Sequence, residues 1–490
     1  MRRAGVLLPI SCIPSKYGIG GFSKEAYEVV DFLKKAGQKL WQILPLGPTS
    51  YGDSPYQSFS CFAGNPYFID VEKFIEKGWI SEKDCEESEY GDNPVYINYE
   101  KIYKGRYKLL KKAYKASNII EDQKFIDFCE DNKEWLDNYA LFMAIKNANN
   151  DVCWIEWPEG LKLRKPNEIK IVSKSYSDDI LFHKFMQYEF YIQWMKLKKY
   201  ANDQGIKIVG DIPIYAALDS SDVWAEPKLF QLDKESLPIK VAGCPPDAFS
   251  EDGQLWGNPL YTWEYHKERG YDWWMRRFEK VFSLYDIVRI DHFRAFDEYF
   301  SIPFEDSTAK NGEWVAGPGI ELFELMKKRL GKKEVIAEDL GFLTPSVLKL
   351  VKKTGFPGMK VLLFAFDEHE PSSYLPHNYD KNCIVYTGTH DNDTIEGWIK
   401  SASKGDVRFA RKYLGVSSNK KLREAMIRAG LSSVADTFIA PIQDYLGLDN
   451  AARINHPSTL GGNWEWRLTK DQLTEELAKE MANLVKIYAR

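Results

Sequence analysis

Four apolar runs of this chain end on acidic residues. "IVGDIPIY" supplies Asp211, and "DIVRIDHFR" supplies Asp291 beside Arg289. "EVIAEDLG" supplies Glu338 and Asp339, and "IVYTGTHDNDT" supplies His390, Asp391 and Asp393. Arg289 and Asp291 are two apart, so along a strand they share a face. A guanidinium beside a carboxylate lowers its pKa and keeps it ionised, which a nucleophile at a sugar carbon requires. Retaining glycosidic chemistry also needs a second acid, protonated at rest, that gives its proton to the leaving oxygen. Glu338 fits, because it follows the apolar "VIA" and carboxylates brought close raise each other's pKa. The competing reading of Glu338 is a salt bridge to a nearby Lys or Arg. Asp391 is suited to bond sugar hydroxyls and to favour a positive, oxocarbenium-like state. Any one of these acids also suits a helix N-cap. Capping alone does not call for four strand ends that carry acids with basic and imidazole partners. Asp393 is read as a cap of the following helix, not as a catalyst. No Cys/His cluster has metal-ligand spacing, and three acids without a metal fit glycosyl transfer better than phosphoryl transfer.

The elements that must position these acids alternate in type. Short apolar runs occur at Gly5–Ile10, Lys39–Leu44, Ile206–Asp211, Asp286–Asp291, Glu334–Glu338, Met359–Phe364, Cys383–Thr387 and Thr437–Pro441. Helical spacing follows in Ser23–Lys35, Gly319–Leu330, Pro345–Val351 and Val407–Tyr413. Continuous apolar strands separated by helices predict a parallel sheet covered on both sides. Eight of them predict an α/β protein built on a (β/α)8 TIM barrel, in which catalytic groups sit at the C-terminal strand ends. The alternative is an open doubly wound sheet, but no Gly-x-Gly-x-x-Gly follows the first run.

The spacing is uneven. Roughly 160 residues separate the second and third runs, too many for a plain loop. They contain helical patterns at Lys101–Ala116, Asp122–Phe128, Leu136–Ala148 and Asp179–Asn202. The reading is one catalytic barrel over 1–490 with two insertions. The first, at about 52–190 after strand 2, is mostly helical. The second, at about 215–285 after strand 3, is loop-rich and overhangs the active site. A terminal helix is expected over Asp471–Tyr488.

Bulk properties exclude several classes. The net charge of -5 argues against nucleic acid, whose binders carry a basic field. Seven scattered Cys, none in a C-x-x-C pair, argue against a disulfide scaffold or structural zinc. No run approaches a membrane span, and the first ten residues do not read as a signal peptide, so a cytoplasmic protein is expected. Aromatics make up 14% of the chain, and several Trp and Tyr stand beside Gly, Pro, Asn and Asp. Flat rings in polar loops suit the faces of sugars as well as cores.

Longer motifs narrow the reading. "PLGPTSYGDSPYQSFSCFAGNPYFI", "GDIPIYAALDSSDVW", "GCPPDAFSEDGQLWGNPLYTW", "RIDHFRAF", "IAEDLG", "GFPGMKVLLFAF", "YTGTHDNDT" and "NHPSTLGGNWEWR" run across nearly the whole chain. In these motifs the sequence resembles glycoside hydrolase family 77, the 4-alpha-glucanotransferases, also called amylomaltases or disproportionating enzymes. The acid motifs alone match the wider alpha-amylase clan. The tyrosine-rich first motif and the Pro-Pro-Asp-Ala-Phe loop single out the family.

The resemblance implies transfer of an alpha-1,4-glucan segment to the 4-hydroxyl of glucose or another glucan, without metal or organic cofactor. It implies Asp291 as nucleophile, Glu338 as general acid/base, Asp391 as transition-state stabiliser and Arg289 as support for the nucleophile. His292, His390 and Asp211 match the donor-sugar site, and Tyr56 the aromatic that stacks on that sugar. Tyr51 resembles a residue of an additional glucan groove. Asp247, Phe249 and Trp256 match a loop over the acceptor subsites, and Asn463 and Trp464 a second acceptor-side loop. The residues themselves leave alternatives: packing for Tyr51 and Tyr56, a core edge for Trp256, and a turn for Asn463. The placement of His292 depends on where its strand ends. An alpha-amylase-like retaining hydrolase shares the acids and is the alternative activity.

Overall fold

Apolar runs buried on both faces belong in a sheet that is covered on both sides. The computed structural model describes residues 2–50, 52–246, 250–341, 343–459 and 461–490, and in it eight such runs form one parallel sheet. In chain order they are β1 (Arg3–Leu7), β2 (Leu40–Gln42), β3 (Lys207–Ile212), β4 (Ile287–Ile290), β5 (Glu334–Ala337), β6 (Gly358–Val361), β7 (Cys383–Tyr386) and β8 (Thr437–Pro441). The spatial order is β6-β7-β8-β1-β2-β3-β4-β5. Each strand therefore lies beside its neighbour in sequence, and β8 pairs with β1. The two edge strands meet where Ala337 N donates to Pro357 O at 3.0 Å, which leaves the sheet nearly closed into a barrel.

The eight expected runs all contain strands, but six end earlier than read, two of them by three residues. β1 stops at Leu7 because Pro9 has no N–H for the ladder, and Ile10–Cys12 form a 3-10 turn. β6 stops at Val361, and Leu362–Phe364 also form a 3-10 turn. The helices Lys24–Lys35, Ile320–Leu330, Pro345–Thr354 and Lys404–Leu414 cover the sheet near the positions expected for them. The terminal helix spans Glu475–Ile487.

Between β2 and β3 lie the helices Tyr99–Ala116, Gln123–Asp131, Lys133–Ala148 and Ser177–Asp203. The last is apolar on most sides and buries Phe182, Phe185, Met186, Phe190, Trp194 and Leu197. It also grips the loop that leaves β2. Gln187 accepts from Gly64 N at 2.7 Å and donates to Gly64 O at 2.8 Å. Gln193 accepts from Asp70 N at 2.7 Å. A polar side chain on a buried helix face is tolerated here because it satisfies backbone groups that would otherwise be orphaned.

A second sheet was not anticipated from the sequence. Gln254–Pro259, Lys240–Cys244, Glu298–Pro303 and Glu313–Ala316 form four antiparallel strands in that spatial order. Two come from the segment after β3 and two from the segment after β4. These strands are short, three of them hold Gly or Pro, and Gln254–Pro259 and Glu313–Ala316 are partly exposed, so they lack the continuous apolar signal of the main sheet. Among the described residues no helix is long and apolar enough to cross a membrane. None of the seven cysteines forms a disulfide among the described residues.

Gly210 shows how tightly the frame fixes the site. A Cβ there would lie 2.1 Å from Cγ of the buried Tyr285 ring, immediately before Asp211 on β3. Gly210→Ala should cost about 1–3 kcal/mol by overpacking and lower the thermal midpoint in a circular-dichroism melt. An unchanged midpoint would show that β3 has room the geometry denies.

Candidate active site

Arg289 lies on β4 opposite Asp211 of β3, its register partner. Partners in a parallel ladder point to the same face, so the two charges meet without distortion. Arg289 Nη1 donates to Asp211 Oδ2 at 2.5 Å, and Nη2 donates to Asp291 Oδ1 at 3.0 Å. Tyr56 OH donates to the same Asp211 oxygen at 2.7 Å. The side chain of Asp211 is 0% exposed, that of Arg289 4% and that of Asp291 29%. Burial opposes the Arg289 charge, but Asp211 and Asp291 outweigh it and hold the guanidinium well above its ordinary pKa.

Asp291 departs from expectation. Burial pushes its carboxyl up to about 6; Arg289 pulls it down, and Asp211 and Asp391 push it further up. Arg289 does lower this pKa as read, but one cation shared between two carboxylates does not offset burial. Glu338 is pushed higher, to about 7, by burial first, with Arg289 opposing and Asp291 adding. Asp291 is therefore mainly ionised near neutrality, and Glu338 keeps a substantial protonated fraction.

Glu338 is held by backbone and not by the Lys or Arg salt bridge considered as its alternative. His292 N donates to Oε2 at 2.7 Å and Leu340 N to Oε1 at 2.9 Å. Each oxygen has a second lone pair, so a proton can still be carried. β4 ends at Ile290, and His292 adopts a left-handed φ of 50°. That turn aims its N–H at Glu338. Such a backbone costs about 1 kcal/mol or more in a non-glycine residue, and strain of this kind clusters at functional sites. The His292 ring is then edge-on to Trp256, with centroids 4.8 Å apart. Burial, then Arg294, holds the His292 pKa down to about 3.

Asp391 lies in the loop after β7. His390 Nε2 is 3.3 Å from its Oδ2, and Asn455 Nδ2 donates to its Oδ1 at 2.6 Å. Burial alone would raise this carboxyl, but His390, Asn455 and Arg289 together hold it at about 2. The His390 pKa is raised: burial opposes its charge, and Asp391 outweighs burial. Asp393 accepts from Ser401 Oγ at 2.7 Å and pairs with Arg453. Among the described residues no group of three or more His, Cys, Asp or Glu is arranged to hold a metal ion.

Three rings close one side. Tyr56 stacks on His390 with centroids 5.2 Å apart and planes 17° off parallel. Trp464 lies 5.9 Å from each of them. Trp464 is only 7% exposed, and its ring packs against these two. Asn463 bonds within its own loop, accepting from His456 N at 2.8 Å and donating to Thr459 Oγ1 at 3.1 Å. Trp256 is half-buried, with Nε1 donating to Gln254 Oε1 at 3.0 Å. Tyr51, Asp247 and Phe249 lie outside the described residues.

Among the described residues, Asp211 Oδ1 and His292 Nε2 are buried here with no hydrogen-bond partner. Buried polar atoms are normally satisfied, so these are natural partners for a ligand's hydroxyl groups. Asn455 and Arg453 were missed in the sequence. They follow β8, more than sixty residues from Asp391, and no spacing rule spans that distance.

The chain matches the family model for 4-alpha-glucanotransferase, glycoside hydrolase family 77, over residues 8–474. It is 52% identical over 483 residues to a 4-alpha-glucanotransferase of Clostridium butyricum, covering 98% of this chain and 99% of that one. It is 43% identical over 486 residues to a 4-alpha-glucanotransferase of Thermus thermophilus, covering 97% and 96%. Its structure superposes on the amylomaltase of Streptococcus agalactiae in complex with acarbose with a TM-score of 0.97 at 41% identity, over the full length of both.

Removing the central cation should be severe. Arg289→Met leaves buried carboxylates uncompensated and should cost about 3–5 kcal/mol. Those carboxylates then hold protons more readily folded than unfolded, so their folded-state pKa is raised. Part of the lost stability should return as pH falls. Urea denaturation at about pH 7 and about pH 5 checks this; a deficit that grew on acidification would contradict it.

Proposed function

Because the chain belongs to glycoside hydrolase family 77, the 4-alpha-glucanotransferases, we propose a division of labour for its residues in a retaining double displacement. The enzyme acts on alpha-1,4-glucans by transfer. Asp291 is the nucleophile, Glu338 the acid/base, Asp391 the stabiliser and Arg289 the support of Asp291. The observation that carries this is the contrast between the two acids. One carboxylate is paired with a buried guanidinium, and the other is held by neutral N–H groups with the higher pKa of the two.

In the first step Glu338 gives its proton to the glycosidic oxygen. The bond from that oxygen to the anomeric carbon breaks while an Asp291 oxygen bonds to the same carbon. The leaving glucan departs with the proton as its 4-hydroxyl. In the second step an acceptor 4-hydroxyl attacks the anomeric carbon and its proton returns to Glu338. The ester bond to Asp291 breaks and both carboxyl groups are restored. Asp391, charged and fixed by two partners, favours the positive character that develops at the sugar.

The donor sugar rests against Tyr56. Asp211 Oδ1, His292 Nε2 and His390 supply polar contacts to it. Trp256, Asp247, Phe249, Asn463 and Trp464 border the acceptor side, and Tyr51 belongs to an additional glucan groove. Glucose and maltooligosaccharides serve as acceptors. We read the nearly closed sheet as a (β/α)8 barrel over 1–490, with insertions at about 52–190 and about 215–285. The free thiols suit a reducing compartment, and we place the enzyme in the cytoplasm.

Incubation with pure maltotriose tests the activity. Transfer yields glucose plus a ladder of longer maltooligosaccharides while total reducing ends stay nearly flat. A steady rise in reducing ends with no longer products would establish a hydrolase instead. Asp291→Asn should abolish both.

The pH profile tests the roles. kcat/KM should fall as pH drops through about 6, where Asp291 takes a proton. It should fall again as pH rises through about 7, where Glu338 loses its proton. The result is a narrow bell whose limbs belong to the coupled pair. A profile flat from about pH 5 to about pH 8 would remove this assignment.

A further inference from the structure

The loop that carries Asp391 is gripped by four side chains from the segment after β8. Asp444 accepts from Thr387 Oγ1 at 2.5 Å and from Ile395 N at 2.8 Å. Asn450 accepts from Thr394 N at 3.1 Å. Arg453 donates to the Asp391 carbonyl at 2.6 Å and pairs with Asp393. These three fix the backbone on either side of Asp391 or its flanking residue. Asn455 alone reaches the carboxylate, with Nδ2 donating to Oδ1 at 2.6 Å, and its own N–H donates to the His390 carbonyl at 3.1 Å.

The other carboxylate oxygen faces His390. With one partner on each oxygen, the Asp391 carboxylate cannot rotate without breaking a contact. The next residues extend the tie. Trp464 N donates to Ile454 O at 2.7 Å, and His456 N donates to Asn463. Asn455 therefore sits at the root of the 456–464 loop, whose Trp464 closes on Tyr56 and His390.

We propose that Asn455 is a positioning residue for the transfer reaction, its amide fixing the plane of the Asp391 carboxylate and joining it to the loop that carries Trp464. This rests on the reading of Asp391 as the stabiliser. Asn455 does not touch the reacting atoms; it acts through Asp391. Hydrogen bonds to charged groups are worth about 1.5–3 kcal/mol. A loss of about ten- to a hundredfold in kcat is therefore expected for Asn455→Ala, with a smaller effect on KM.

Asn455→Asp gives the sharper test. Two carboxylates at this distance cannot both ionise easily, so they share a proton at low pH. The proton lets the introduced carboxyl donate as the amide did, and its loss replaces a donor with repulsion. The charges that face the pair are His390 and Asp291 on one side and Arg453, Asp393 and His456 on the other, with Arg289 beyond. None of them changes between variant and wild type.

The experiment measures kcat and KM on maltotriose across pH for wild type, Asn455→Ala, Asn455→Asp and Asp391→Asn, with circular dichroism to check folding. The ratio of Asn455→Asp to wild-type kcat/KM should rise as pH falls from about 8 to about 5. A ratio that stays constant across pH, with Asp391→Asn inactive, overturns the positioning role and leaves the reading of Asp391 intact. Wild-type transfer by Asp391→Asn overturns that reading itself. Should Asn455→Ala fail to fold, the near-isosteric Asn455→Asp carries the test.

Discussion

Everything at the centre of this molecule depends on one buried guanidinium. Arg289 faces two carboxylates from the interior of a sheet where an unpaired charge is intolerable. Its planar fork reaches Asp211 with one nitrogen and Asp291 with the other. A lysine, with a single ammonium, has no such fork. The constraint also works on the fold. Asp211 and Arg289 are register partners on β3 and β4, so a slip by one residue would turn one of them to the wrong face and strand both charges. Packing and electrostatics thus select the same register.

The two acids, Asp291 and Glu338, differ because their surroundings differ. Asp291 leans on a cation. Glu338 leans on the N–H groups of His292 and Leu340, which stabilise charge less than a full positive charge does. With both buried, the acid with the weaker support holds its proton longer, and that is Glu338. The left-handed turn at His292 serves both ends of this arrangement. It directs one N–H to Glu338 and sets the ring against Trp256. Under the proposed roles, strain of this kind is maintained because two sides of the site rely on it.

What could be read in the sequence follows from distance along the chain. Acids at the ends of apolar runs were legible, because a strand end and its period depend only on local residues. So were the helices between β2 and β3. The net upward shift of Asp291 was not legible, since it depends on burial and on Asp211 and Asp391 contributed from other strands. Asn455 was hidden for the same reason: its partner is brought close only when β7 and β8 pair. The antiparallel sheet was missed because its strands are short, three of them hold Gly or Pro, and two are partly exposed. The burial of the Trp464 ring against Tyr56 and His390 is another contact between distant parts of the chain.

That packing bears on how sugar competes with water. The carboxylates of Asp211, Asp291 and Asp391 outnumber the one guanidinium of Arg289, so the field here is negative. A field of that sign favours a positive sugar but would equally orient water. What separates the two is surface. Tyr56, His390 and Trp464 make a continuous wall of rings, two of them stacked within 17° of parallel, and under the proposed roles the half-buried Tyr56 is the ring of this wall that a sugar face covers. Trp464 is held in that wall by its backbone bond to Ile454, the neighbour of the residue that grips Asp391. Under the proposed roles, the charge that stabilises the reacting sugar and the rings beside it are therefore anchored by one short stretch of chain.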